Sequence, residues 1–174
     1  MIFSLVLFTS VAMAKNPRVG GKEMFPQKDI IDNAVNSKDH TTLVAAVKAA
    51  DLVGTLKSQG PFTVFAPTNK AFQRLPAGTV DTLLKPENKK KLSGILTYHV
   101  LPGKWDGKAI MKEIRKGRGL AMIKTVSGGT LAFRAQKGKL YINDEMGGLA
   151  SVTISDVYQK NGVIHVIDRV ALPN

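Results

Sequence analysis

GPFTVFAPTNKAF, running from Gly60 to Phe72, passes from a strand into a helix within one short stretch. Phe62, Val64 and Ala66 alternate with Thr63 and Phe65, the period of a strand, and their aromatic and β-branched content suits a pleated, buried surface. Pro67 removes a backbone donor and ends the ladder. Thr68 is placed to cap a helix whose first turn holds Asn69, Lys70, Ala71 and Phe72, its hydroxyl accepting a bond from an otherwise unpaired helix amide. Strand, stop, cap and helix follow in that order, and the rest of the chain is expected to pack around this junction.

On the N-terminal side the pattern is helical. Ile30, Ile31 and Val35 fall at helical spacing after Asp29, and a second helix is expected where Asp39 or Thr41 can cap it. There Leu43, Val44 and Val47 share one face and Ala45, Ala46, Ala49 and Ala50 add propensity. Leu52, Val53 and Leu56 continue as a short helix that Ser58-Gln59-Gly60 stops. On the C-terminal side, Val80, Leu83 and Leu84 make a further helical turn. Pro86 opens a helix in which Leu92, Ile95 and Leu96 line one face, with Lys89, Lys90 and Lys91 opposite or at its rim. Leu101-Pro102-Gly103 reads as a turn. Gly107 to Lys116 is predicted to be a basic helix with Ile110, Met111 and Ile114 inward. From Leu120 onward the texture becomes β: 120–126, 130–135, 139–143, 150–154 and 162–170 are separated by Ser127-Gly128-Gly129, Lys137-Gly138, Gly147-Gly148 and Asn161-Gly162, which are turn chemistry. Helices crowd the first half and strands the second, the pattern of an α+β fold in one piece.

A chain of 174 residues with 44% hydrophobic and 22% charged residues has enough apolar material for one packed domain. Its net charge of +12, from 25 Lys and Arg against 13 Asp and Glu, favours polyanions or anionic surfaces through long-range attraction that salt screens. The absence of cysteine excludes a disulfide framework, a thiolate metal site and a cysteine nucleophile. Residues 1–14, an apolar run ending in Ala12-Met13-Ala14, read as a signal peptide too short to span a bilayer. Residues 15–27, with Pro17, Gly20, Gly21 and Pro26 among charges, read as a flexible, exposed leader, and 28–174 as the folded domain. The mature chain is expected to carry no membrane-spanning segment.

Candidates for catalysis are thin. His40, His99 and His165 lie far apart, and no HExxH, GxSxG or P-loop pattern occurs. His165 and Asp168 have odd spacing along a strand and face opposite ways. His99 and His165 as a metal pair have no carboxylate cluster beside them in sequence. No catalytic residue, metal or cofactor is therefore expected.

Three stretches together resemble the fasciclin, or FAS1, family. GPFTVFAPTNKAF is similar to its first conserved block, Tyr98-His99-Val100 with Leu101-Pro102-Gly103 to its central Tyr-His motif, and NGVIHVIDRVALP, Asn161 to Pro173, to its second block. Their order and spacing also match, over residues 28–174. The resemblance implies a wedge or sandwich of about seven β-strands flanked by several α-helices. It also implies export and a non-enzymatic role in adhesion, with the protein secreted, periplasmic or attached to a cell surface. Tyr98 and His99 match the central motif, whose histidine the family uses mainly as a buried hydrogen-bonding residue and whose surroundings animal members use in integrin adhesion. Asp156-Val157 stands where adhesive members carry an Asp-Ile pair. Asn69 and Lys70 replace acidic residues of the first block, and Ala171 a larger aliphatic. The expected partner is a cell-surface or envelope protein, with no nucleic acid. The alternative is a basic envelope protein binding anionic polysaccharide or lipid through Lys89, Lys90, Lys91, Lys112, Arg115, Lys116 and Arg118.

Overall fold

The computed structural model of the chain describes residues 16–174, so the expected signal peptide lies outside the described residues. Strands β1 (Arg18–Val19) and β2 (Lys22–Glu23) form an antiparallel ribbon. Five helices and a strand follow: α1 (Ile30–Ala34), α2 (Thr41–Ala49), α3 (Val53–Lys57), β3 (Phe62–Pro67), α4 (Asn69–Gln73) and α5 (Thr79–Leu83). Then come α6 (Lys89–Tyr98), β4 (Val100–Pro102) and α7 (Gly107–Lys116). The chain ends with β5 (Ala121–Lys124), β6 (Thr130–Gln136), β7 (Lys139–Asn143), β8 (Leu149–Gln159) and β9 (Gly162–Ile167). The seven strands from β3 to β9 make one sheet in the order β4-β3-β9-β8-β7-β6-β5, the α+β architecture expected.

β3 and β9, second and third in this order, pair in parallel from Phe62↔Gly162 to Pro67↔Ile167. A parallel pair is buried on both faces, and both strands accordingly bury nearly every residue. Val64, Ala66, Ile164 and Val166 enter a cluster with the helices, including Leu43, Val47, Leu92 and Leu96. Phe65 and Ile167 point the other way, into a second cluster built from the later strands and α7. There Phe65 meets Phe133 at 5.3 Å between ring centroids. Burying each of these large apolar side chains contributes about 1.5–3 kcal/mol. The junction read from the sequence therefore separates, and belongs to, two cores.

The caps obey local chemistry. Thr68 Oγ1 accepts from Ala71 N–H at 3.2 Å, as its sequence predicts. Asp29 and Asp106 do the same for α1 and α7, accepting from Asp32 N–H at 2.8 Å and Ala109 N–H at 2.9 Å. For α2 the expectation differs from the structure: His40 occupies the cap position and makes no side-chain cap bond, while Asn69 Nδ2 donates to Thr41 Oγ1 at 3.0 Å.

Two readings are corrected. The stretch 15–27 is not a flexible leader over its described part: Gly20 and Gly21, at φ +58° and +77°, close the β1–β2 turn. Val19 and Met24 then bury in the helix-side cluster. Asn33 holds the ribbon by accepting from Phe25 N–H at 3.0 Å and donating to Phe25 O at 2.8 Å. Breaker residues shaped a hairpin here rather than a tail, because two large apolar side chains had a core to enter. Leu101-Pro102, read as a turn, instead completes β4, antiparallel to β3. Pro102 is tolerated because β4 is an edge strand.

Candidate functional site

β8 is the longest strand, and it is irregular. Its pairing with β9 shifts register between Val152 and Ile154 and again between Ile154 and Val157. Asp156 sits in the second irregularity at φ +58°, the left-handed region that only a few side chains adopt readily. The bulge turns Asp156 toward the loop that enters α7, where its Oδ1 accepts from Gly107 N–H at 2.6 Å. Gly107 suits the close approach, since a Cβ there would lie 3.0 Å from Asp156 Oδ2 and would press on that carboxylate.

The same loop is fastened from beneath by His165. Its Nε2–H donates to Trp105 O at 2.7 Å, and its Nδ1 accepts from Asp156 N–H at 3.3 Å, which sets the neutral tautomer. The ring also stacks on Phe65, 5.3 Å away. Trp105 N–H donates to the buried Thr63 Oγ1 at 2.7 Å. Above this scaffold, Tyr158 O–H donates to Asp106 Oδ2 at 3.3 Å, and Lys104 Nζ lies 4.7 Å from the centroid of the Tyr158 ring. The N–H of Ala109 is the main cause holding Asp106 below its ordinary carboxylate pKa, with Tyr158, Lys104 and Lys108 adding to it. The result is a surface corner of Lys104, Asp106, Asp156 and the exposed Tyr158, held on a satisfied backbone framework.

The residues expected to bind are distributed differently from that expectation. Asp156 reaches the corner, but Val157 is fully buried in the helix-side cluster. A contiguous Asp-Val pair offered to a partner is therefore not what the bulged strand builds: alternation after the bulge sends Val157 inward and Tyr158 outward. Tyr98 is likewise buried. Its hydroxyl donates to Thr130 O at 2.7 Å and accepts from Glu145 N–H at 3.1 Å, and burial, the main cause, pushes its pKa up to about 12. His99, 2% exposed, joins α6 to the C-terminal segment. Its Nδ1–H donates to Ile95 O at 2.8 Å and its Nε2 accepts from Ala171 N–H at 2.9 Å. Tyr98 and His99 thus hold the interior together and offer no surface.

The basic residues are not one patch. Lys89, Lys90 and Lys91 begin α6, which packs on α2 and α5, whereas Lys112, Arg115, Lys116 and Arg118 lie on or just after α7, which packs on β5 and β6. Lys89 pairs with Asp51 at 3.5 Å and Lys116 with Glu113 at 2.6 Å. All seven are exposed, where individual ion pairs contribute little. Sequence reading missed Lys104, Trp105, Asp106, Tyr158 and His165 as a group. Only the Asp106 cap before α7 carried a local signal.

Burial, the first cause in each case, lowers the pKa of His40, His99 and His165 below 6.5. The folded state then refuses protons that the unfolded chain accepts. Stability from this source is whole above about pH 6.5, declines as the pH falls below it, and is fully lost beneath the folded pKa values. Urea melts taken from about pH 7.5 to about pH 4.5 should show stability falling by about 1.4 kcal/mol per pH unit for each proton taken up on unfolding. A flat profile across this range would contradict the neutral, hydrogen-bonded assignment of the three rings.

This fold and its motifs define a fasciclin-type domain, and the family model for the fasciclin domain matches residues 38–173. The chain belongs to the fasciclin family. It is 50% identical to protein sll1483 of Synechocystis sp. over 144 residues, covering 83% of this chain and 73% of that protein. It is 36% identical to transforming growth factor-beta-induced protein ig-h3 of Sus scrofa over 148 residues, 85% of this chain but 20% of that longer protein. A FAS1 domain pair from the insect cell adhesion molecule Fasciclin I superposes with a TM-score of 0.74 at 21% identity, over 84% of this chain and 51% of that one. Among the described residues no helix is long and apolar enough to cross a membrane.

Proposed function

We propose that the chain is an exported, non-enzymatic adhesion or association module of a cell surface or periplasm, binding an envelope protein through the Lys104–Asp106–Asp156–Tyr158 corner. The observation that carries this reading is the construction of the corner. Gly107 N–H and the His165 ring fix Asp156, Ala109 N–H fixes Asp106, and the exposed Tyr158 hydroxyl bonds Asp106 while Lys104 lies against the Tyr158 ring. Tyrosine presents a large, rigid, amphipathic surface, and preorganisation lowers the entropy lost on binding. All three histidine rings use both nitrogens in fixed internal bonds, which supports binding rather than proton-transfer chemistry. Membership in a family that includes the insect adhesion molecule's domains points the same way.

Binding of the mature protein to intact cell envelopes, measured at low and high salt, tests the proposal. Tyr158→Ala should weaken binding by about tenfold or more, the loss typical of an aromatic anchor. Changing Lys112, Arg115, Lys116 and Arg118 to Gln together should have a smaller effect, and salt should leave most of the binding intact. Binding abolished by salt and by the four Gln substitutions, but indifferent to Tyr158→Ala, would replace the corner with charge-driven attachment to anionic polysaccharide or lipid.

A further inference from the structure

Beside the corner, an open groove of about 860 Å³ lies between the start of α7, the turn joining β6 to β7, and the middle of β8. Its volume is in the range of clefts that hold ligands. Gly107, whose N–H binds Asp156, lines the groove, so the two surfaces are continuous.

Three properties of its wall converge. Met111, Leu140 and Val152 supply apolar surface where the strand-side core comes partly into view. Lys137 and Lys139 stand exposed on the rim and take part in none of the ion pairs among the described residues. The carboxylate on the wall, Asp168, is already engaged: it lies 3.5 Å from Arg74 and accepts from Ser151 N–H at 2.7 Å. The third property concerns the sheet itself. β7 and β8 remain in register only from Tyr141↔Ser151 to Asn143↔Leu149. Beyond that point Lys139 and Leu140 pair with Gln136 and Ala135 of β6, while Val152 and Ile154 pair with Ile167 and Val166 of β9. The register shifts of β8 thus coincide with a split in the sheet, and residues from both sides of the split line the groove.

We propose that this split is a docking site for an extended, acidic polypeptide segment. Its backbone adds to the parted strand edges, alternate apolar side chains enter against Met111, Leu140 and Val152, and the intervening carboxylates meet Lys137 and Lys139. A partner with a peptide backbone fits all three properties. An anionic polysaccharide would use the lysines alone. The proposal rests on the adhesion reading for its setting and adds to it the chemistry of one partner.

A fluorescein-labelled peptide of alternating valine and glutamate, titrated with the full mature protein and followed by anisotropy, tests it. Saturable binding is expected, with amide shifts at Lys139, Leu140, Thr153 and Ser155. Methylating alternate peptide nitrogens should abolish binding, because it removes the donors that strand addition needs. The double variant Lys137→Glu, Lys139→Glu should weaken binding by about tenfold or more while keeping the wild-type melting curve, since both side chains are exposed. Equal binding of the methylated peptide would overturn the proposal. So would the absence of saturable peptide binding, with heparin binding that the double variant abolishes, which would assign the rim to polysaccharide. The adhesion reading fails separately: a wild-type protein that binds the peptide but no envelope would leave the groove standing and remove the corner's proposed role.

Discussion

Gly162→Ala is expected to destabilise the domain by about 3 kcal/mol or more, because the added methyl group has no room between the parallel strands β3 and β9. Gly162 opens β9 opposite Phe62, at the first rung of the parallel pair. A Cβ there would fall 1.9 Å from Phe62 O and 2.9 Å from Phe62 C, and both are backbone atoms that cannot turn aside. Relief requires β3 and β9 to part at the point where Phe62 N–H donates to Asn161 O at 3.0 Å. Asn161 also ties this end of the sheet to the helices, accepting from Ile30 N–H at 3.0 Å and donating to Leu56 O at 2.7 Å. Urea denaturation of the variant against wild type measures the loss. A midpoint within error of wild type would mean that the two strands are not held this closely.

His99→Ala is expected to cost roughly 3 kcal/mol, from a cavity in a closed interior and from Ala171 N–H left without its acceptor. His99→Phe separates the two contributions by filling the space without restoring the bond, and should recover part of the stability. The loss should be the same whether or not envelope material is present, because His99 offers no surface to a partner. Unchanged melting together with lost envelope binding would make it a recognition residue and overturn the structural role. Below about pH 6.5 the difference between wild type and His99→Ala should narrow, since protonation penalises only the chain that still carries the ring.

Local rules made much of the fold legible. Thr68 caps α4, α7 spans the predicted Gly107–Lys116 with Ile110 and Ile114 buried, and β6, β7 and β9 begin at the predicted residues. These features depend on hydrogen bonds and periodicities a few residues long, and such information is present in the chain before it folds. The family motifs were legible for a related reason: their residues sit at the junctions where close packing admits few alternatives.

The surface corner was not legible, because its parts come from segments far apart in sequence. Asp156 meets Gly107 and His165 meets Trp105 only after β8 and β9 fold against the loop before α7. The bulge was equally hidden. One irregular step in β8 decides that Asp156 and Tyr158 face outward while Val157 is buried, and strand alternation counted along the sequence carries no mark of where that step falls. The hairpin of β1 and β2 makes the same point in reverse: Gly20 and Gly21 announced a turn, but only a core with room for Val19 and Met24 made that turn part of the domain. By itself the sequence determined the helices, most strands, the junction at Thr68 and the family. Tertiary packing decided which face each residue shows, because burial and long-range hydrogen bonds compare positions that the chain brings together only when folded.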